Sequence, residues 1–171
     1  MSSSDRTATC ARVAVSVVLA TVTLGLASCG FKLQGRNRLP EYMSVVHVAT
    51  EDPHTPFVRA LRQSLQTSGV RISDRVQEAG TVVRVLLDES GERVLSVSAR
   101  NTPEEYEVFY LLEYAVESRG SEVLEPQALR LERDYAYDET AVLAKQREEQ
   151  QLLEAMARDL ASRVMRRLAT L

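Results

Sequence analysis

The sequence has little of the chemistry that enzymes and metal sites use. It has two cysteines, two histidines and no tryptophan among its 171 residues. His47 lies in an apolar stretch and His54 in a proline-flanked loop, and neither has a second ligand type nearby at metal-site spacing. The glycines form no phosphate-cradling loop, and no serine lies in a nucleophile-elbow pattern. These absences argue against an enzyme, and we expect neither a metal nor a cofactor.

The first residues have the pattern of a lipoprotein signal peptide. Arg6 and Arg12 form a short basic region, and residues 13–26 are apolar. That stretch, roughly 14 residues long, is too short for a bilayer core, which needs about 20, but suits a signal peptide. The run Leu26-Ala27-Ser28-Cys29 resembles a lipobox. We therefore predict that residues 1–28 are cleaved and that Cys29 carries a lipid anchor, the alternative being an ordinary secretory signal with a chance cysteine.

Cleavage leaves a mildly acidic chain without a free thiol. The full sequence has a net charge of −3, and the removed segment contributes +1 through Asp5, Arg6 and Arg12, which leaves −4. Mild acidity argues against a nucleic-acid binder, which carries a basic surface. Because Cys10 leaves with the signal peptide and Cys29 is used by lipid, the folded part has no disulfide and no thiolate metal site.

The remaining sequence predicts a tether and one α+β domain. Residues 29–42 contain breakers such as Gly35 and Pro40 and are predicted to form an irregular, lipidated tether. Residues 43–171 are predicted to form a single domain with the element order β-α-β-β-β-β-α. That order favours two helices packed on one face of a mostly antiparallel sheet of four or five strands.

The first half of this domain has clear element boundaries. Residues 45–49 are β-branched and apolar and predict a strand. Thr55 and Pro56 are typical of a helix start, and Gly69 suits the left-handed position after a helix end. We then expect strands at 81–88 and 93–100, joined by a tight turn that holds Ser90 and Gly91.

The second half predicts two long strands and a long helix. Strict alternation over residues 106–116 predicts a half-buried strand, and residues 123–135 pair back with it. Pro126 lacks a backbone donor and predicts an edge or a bulge there. A final helix is expected from about residue 138 to 168. Its apolar stripe comprises Leu153, Met156, Leu160, Val164 and Leu168.

Binding residues are less sharply indicated. Tyr106, Tyr110 and Tyr114 share one strand face, which is either an interaction surface or, as the pattern favours, a core face beneath the helices. Arg100 and Lys145 lie at predicted ends of elements and could bind an anion, because Arg and Lys make charge-assisted bonds to phosphate. Spacing alone does not separate these two cations from solvated charges.

Several short runs together carry a family resemblance. They are Cys29-Gly30-Phe31-Lys32-Leu33, Leu39-Pro40, residues 56–62, Ser68-Gly69-Val70, Arg100-Asn101 with Glu105-Tyr106, Val142-Leu143-Ala144-Lys145 and Arg166-Arg167-Leu168. No single run is specific, but their order and joint spacing cover nearly the whole mature chain. In this respect the chain resembles the LptE family of lipopolysaccharide-assembly lipoproteins.

The resemblance implies a function and two site residues. It implies a non-enzymatic lipoprotein on the inner leaflet of the outer membrane that plugs the LptD β-barrel and helps to insert lipopolysaccharide into the outer leaflet. It also implies that Arg100 and Lys145 contact lipopolysaccharide. Gly30 follows the cysteine where an inner-membrane retention signal would have Asp, which favours the outer membrane. The alternative is a lipoprotein scaffold for another envelope machine that binds protein and no lipid.

Overall fold

The structure is a computed structural model that describes residues 39–136 and 142–171. The predicted signal peptide, Cys29 and most of the predicted tether lie outside the described residues. The same holds for residues 137–141, where the sequence predicts the start of the final helix.

The described residues form two helices and five strands. In chain order these are β1 (Val45–Ala49), α1 (Pro56–Thr67), β2 (Arg71–Ile72), β3 (Thr81–Val97), β4 (Pro103–Ser118), β5 (Ser121–Ala136) and α2 (Val142–Leu168). Short 3-10 turns at Glu41–Met43 and Val76–Glu78 precede β1 and β3. The α+β class and the order β-α-β-β-β-β-α are confirmed.

The strands form one mixed sheet in the order β2-β1-β3-β4-β5. β1 is parallel to both of its neighbours, whereas β3, β4 and β5 are antiparallel to one another. β1 pairs with β3 only as far as Arg84. Beyond Val85 only β3, β4 and β5 continue side by side, and we call this part of the sheet the distal sheet.

β3 is one continuous strand where the sequence predicts two strands and a turn. Gly91 pairs with Phe109 inside the ladder, and a Cβ added to Gly91 would lie 2.9 Å from Phe109 Cζ. This glycine makes room for a neighbouring ring, so the predicted turn at Ser90 and Gly91 was wrong. The turn lies at residues 98–102 instead. The strand count is unchanged because the short strand β2 takes the place of the lost one.

The predicted ends of α1 are confirmed. The Thr55 side chain accepts a hydrogen bond from the backbone nitrogen of Val58 at 3.2 Å, and Pro56 occupies the first helical position. Gly69 has a φ of +88°, the left-handed conformation that glycine adopts at little cost. Local side-chain chemistry therefore fixes both ends of this helix.

Pro126 lies where its missing donor is tolerated. β5 is the edge strand of the sheet, and the register between β4 and β5 shifts from Tyr114↔Gln127 to Val116↔Leu124. Pro126 falls within that shift. The prediction of an edge or a bulge is confirmed, because the proline sits in an irregularity on an edge strand.

Both helices cover one face of the sheet and build the core there. Tyr110 and Tyr114 are buried beneath them, which confirms the core interpretation for these two residues, whereas Tyr106 is partly buried at the margin. On α2 the predicted stripe is buried from Met156 to Leu168, and Leu153 packs against it partly buried. Full burial of one such apolar side chain contributes about 1.5–3 kcal/mol.

A hydrogen-bond network joins the start of α1 to the sheet. The Tyr110 hydroxyl donates to Asp88 Oδ1 at 2.8 Å and accepts from the backbone nitrogen of Phe57 at 3.2 Å. The Thr55 hydroxyl donates to Asp88 Oδ2 at 2.5 Å. Burial, and then the hydrogen bond to Asp88, raise the pKa of Tyr110, so its hydroxyl stays protonated and keeps donating.

Replacing Tyr110 with phenylalanine should destabilise the protein. Tyr110→Phe removes one donor from Asp88 and leaves the buried Phe57 N–H without its acceptor, which should lower the free energy of unfolding by about 1–3 kcal/mol. Urea unfolding of the mature chain measures this change. Tyr114→Phe is the control, because Tyr114 is equally buried and its hydroxyl makes no hydrogen bond within the described part of the chain. Equal losses in the two variants would contradict the role of the network.

Candidate functional site

Arg100 and Lys145 lie at the same end of the molecule. Arg100 is in the turn between β3 and β4 at the tip of the distal sheet. Lys145 is in the first turn of α2, and its Nζ lies 5.8 Å from the ring centroid of Tyr135. Tyr135 pairs in register with Tyr106, only a few residues beyond that turn along β4. The fold therefore brings two cations from distant parts of the sequence to the distal end.

The turn that carries Arg100 is held by Ser98. The backbone nitrogen of Ser98 donates to the Thr102 carbonyl at 2.8 Å. The Ser98 Oγ accepts from the backbone nitrogens of Arg100 and Thr102, both at 3.2 Å. Asn101 has a φ of +61°, a conformation that asparagine tolerates better than most residues. The backbone at Arg100 is therefore fixed.

The Arg100 side chain is available to a ligand. Arg100 is exposed, and across residues 39–136 and 142–171 its guanidinium makes no ion pair and no hydrogen bond. An unpaired guanidinium on a fixed turn can offer a planar pair of donors to a phosphate or a carboxylate.

Lys145 is already engaged. Its Nζ lies 2.8 Å from Glu148 Oε2, one helical turn further along α2, and its side chain is 20% exposed. The contact with the face of Tyr135 adds a cation–π attraction. An anion that binds Lys145 must therefore compete with Glu148.

Tyr135 is a rigid support for Lys145. Its ring stacks on Tyr106 with centroids 5.8 Å apart and planes 18° apart. Its hydroxyl donates to Glu92 Oε2 at 2.8 Å, which joins β5 to β3 across β4. Burial, and then the bond to Glu92, raise the pKa of Tyr135 and keep this hydroxyl protonated.

Two acidic residues, Glu148 and Glu149, follow Lys145 on α2, and Glu148 pairs with it. Burial, and then the charge of Glu92, raise the pKa of Glu149. Because Glu148 and Glu149 lie on the same helix as Lys145, this part of the site offers an incoming anion less net attraction than Arg100 does. Arg100 is therefore the more accessible of the two cations.

Both histidines have structural contacts. His47 Nδ1 lies 2.9 Å from the Ser73 carbonyl oxygen, which ties β1 to the chain after β2. The backbone nitrogen of His54, and not its ring, donates to Asp52 Oδ1 at 2.8 Å in the loop before α1. Within the described ranges no group of three or more His, Cys, Asp or Glu side chains is arranged to hold a metal ion. No described helix combines the length and the apolar character needed to cross a membrane.

Sequence reasoning missed most of the groups around Lys145. Glu148 could have been found, because residues three apart on a helix face one another. The Glu92–Tyr135 bond could not, since it depends on the register of three strands. The predicted lipidation residue, Cys29, lies outside the described residues.

Comparisons with known proteins identify relatives of this chain. A family model described as "LptE: Lipopolysaccharide-assembly" matches residues 43–168, a range that contains both Arg100 and Lys145. A protein of Pectobacterium atrosepticum named LPS-assembly lipoprotein LptE is 27% identical over 157 residues, which is 91% of this chain and 85% of the relative.

Solved structures have a similar fold. The crystal structure of the rare lipoprotein B from Shewanella oneidensis aligns with a TM-score of 0.63 and 28% identity over 74% of this chain and 94% of that one. The solution structure of an uncharacterized lipoprotein B from Nitrosomonas europaea aligns with a TM-score of 0.68 and 22% identity over 82% and 90% of the two chains. At that identity the second similarity supports the fold alone.

Glu149→Gln should stabilise the protein at neutral pH. Because the folded-state pKa of Glu149 is raised, its contribution to stability is present below the unfolded pKa and is lost as the pH rises through the folded pKa. At pH 7 the substitution removes an unfavourable charge and should raise the free energy of unfolding by about 0.5 kcal/mol or less. At about pH 3.5, where the Glu149 carboxyl is mostly protonated in both the folded and the unfolded state, the gain should largely vanish.

Glu148→Gln is the matched control for this effect. It removes the same charge from the next residue but also removes the ion pair with Lys145, so we expect no gain at pH 7. Urea unfolding at the two pH values compares the variants. Equal stabilisation by both would mean that overall charge, and not the setting of Glu149, controls the result.

Proposed function

The chain belongs to the LptE family of lipopolysaccharide-assembly proteins, and from this we propose that it is an outer-membrane lipoprotein that plugs and helps to assemble the LptD β-barrel and takes part in lipopolysaccharide transport and insertion. The family match over residues 43–168 carries this proposal. In this role the domain is a binding and positioning module and not an enzyme.

The proposed anchor is a lipid on Cys29. The lipobox-like run before Cys29 supports it, as does the name lipoprotein given to the relative from Pectobacterium atrosepticum. A single acyl chain binds a membrane only marginally, whereas two or more hold a protein firmly. Residues 29–42 would then tether the domain to the periplasmic side of the outer membrane.

The proposed partner is a large barrel whose lumen is wet. The interior of such barrels is polar and can hold a plug. The described surface suits that setting, because the sheet face away from the helices carries ion pairs between strands. Arg84 pairs with Glu117 at 3.1 Å, and Arg93 pairs with Glu107 at 2.6 Å. A charged face of this kind remains stable in contact with luminal water and polar side chains.

The distal end is the proposed contact for lipopolysaccharide. Its phosphates would meet the unpaired Arg100 first, because that guanidinium is exposed on a fixed turn. Lys145 would bind the phosphate next, once the phosphate displaces Glu148 from its ion pair with the lysine. The supporting observation is the convergence of these two cations at one end of the sheet.

Arg100→Ala should weaken lipopolysaccharide binding and leave the fold intact. Loss of a charge-assisted bond to phosphate should lower the affinity by roughly tenfold, and Lys145→Glu should lower it further by adding repulsion. Binding to purified lipopolysaccharide and urea unfolding measure the two properties. Arg119→Ala is the matched control, because Arg119 is an exposed arginine with φ of +52° in the β4–β5 turn, away from the distal end. Equal effects at Arg100 and Arg119 would show nonspecific charge attraction.

The mature lipoprotein should co-purify with its barrel. A tagged full-length chain, extracted with detergent from outer membranes, should bring down one large β-barrel protein in equal amount. A stable monomer in these extracts would contradict the plug function. A different protein partner would favour a scaffold for another envelope machine, and the identity of captured proteins by mass spectrometry decides between these outcomes.

A further inference from the structure

The last residues of β3 expose apolar side chains beside Arg100. Val94, Leu95 and Val97 are 47%, 45% and 51% exposed, and they fall within four consecutive positions. Val97 is only three residues from Arg100. Single exposed apolar residues need no explanation, but a cluster next to an unpaired cation does.

The local backbone explains why these side chains stay exposed. The register between β3 and β4 shifts between Val94 and Ser96 and again between Ser96 and Val97. Such irregularities break the regular alternation of side chains along a strand, so the pattern that buries every second residue does not continue past Val94. β1 ends its pairing at Arg84, so among the described residues β4 is the only strand that pairs with this part of β3, and the opposite edge of β3 has no partner strand.

The surroundings form a surface with both apolar and cationic parts. Val94 pairs in register with Tyr106, and Tyr106 stacks on Tyr135, above which Lys145 lies. Val94 therefore adjoins a tyrosine pair that ends at a cation, Lys145, and the second cation, Arg100, lies at the tip. A ligand that matches this surface has acyl chains next to an anionic group.

We propose that Val94, Leu95 and Val97 contact the acyl chains of lipopolysaccharide while Arg100 contacts a phosphate of the same molecule. This inference rests on the proposed function and adds the apolar half of the ligand to it. Acyl chains that move between membranes must be kept from water, and apolar side chains beside the phosphate-binding cation provide that shelter. The distal end thus distinguishes an amphiphile from a soluble phosphate.

Photo-crosslinking of the full-length chain in intact cells tests the occupant. A photoreactive phenylalanine analogue placed at Leu95 or Val97 should give an adduct with lipopolysaccharide. Mass spectrometry of the adduct should place the new bond on an acyl chain. The matched controls are Val76 and Val123, which are 50% and 39% exposed but lie away from the tip, and they should give no such adduct. Adducts with the barrel protein alone, or equal adducts at the controls, would overturn the inference.

The same analogue at position 99, an exposed alanine whose replacement keeps Arg100, separates this inference from the proposed function. Adducts with lipopolysaccharide from position 99 but not from positions 95 and 97 would leave the phosphate contact in place and reject the acyl contact. Absence of lipopolysaccharide adducts at all three positions would reject both.

Binding measurements provide an independent readout. The double variant L95S/V97S, in complex with its barrel, should bind lipopolysaccharide roughly tenfold more weakly, as expected when several methyl and methylene groups lose their apolar contact. Its affinity for lipopolysaccharide stripped of acyl chains should not change. V76S is the control and should match the unsubstituted chain with both ligands, and loss of affinity for the stripped form in the double variant would contradict the acyl contact.

Discussion

The hydrogen bonds that converge on Asp88 determine how the helices sit on the sheet. This carboxylate accepts from Tyr110 on β4 and from the capping residue Thr55, so the start of α1 is fixed at the middle of β3. A negative charge at the beginning of a helix also interacts favourably with the helix dipole. The core therefore reaches into the distal sheet, where Tyr110 on β4 and Tyr135 on β5 belong to it. Arg100 lies beyond these residues, in the turn between β3 and β4.

The two cations of the distal end, Arg100 and Lys145, differ in how accessible they are to an anion. Arg100 depends only on its own turn, whose backbone is held by Ser98. Lys145 depends on a chain of supports that runs through Tyr135 to Glu92, and an anion must compete with Glu148 for it.

The sheet face away from the helices carries ion pairs that join neighbouring strands. Arg93 reaches Glu107 at 2.6 Å and Glu132 at 3.3 Å, and so links the three strands of the distal sheet. Glu107 is buried, whereas the Arg84–Glu117 pair is largely exposed and adds little stability on its own. The bulges in β3 and the proline in β5 also disturb the unpaired edges of these two strands, which discourages pairing with other chains.

The sequence by itself determined the fold class, the element order, both ends of α1 and the irregularity at Pro126, because each depends on local chemistry or on a repeating pattern. It also indicated Arg100 and Lys145, though only through residue type and family resemblance. The sequence did not reveal the role of Gly91, because glycine is typical both of a turn and of a close approach between strands. Only the position of the Phe109 ring distinguishes these two roles. The support of Lys145 by Tyr135 and Glu92 was likewise decided by tertiary structure alone, because these residues meet only once strand register brings distant parts of the chain together.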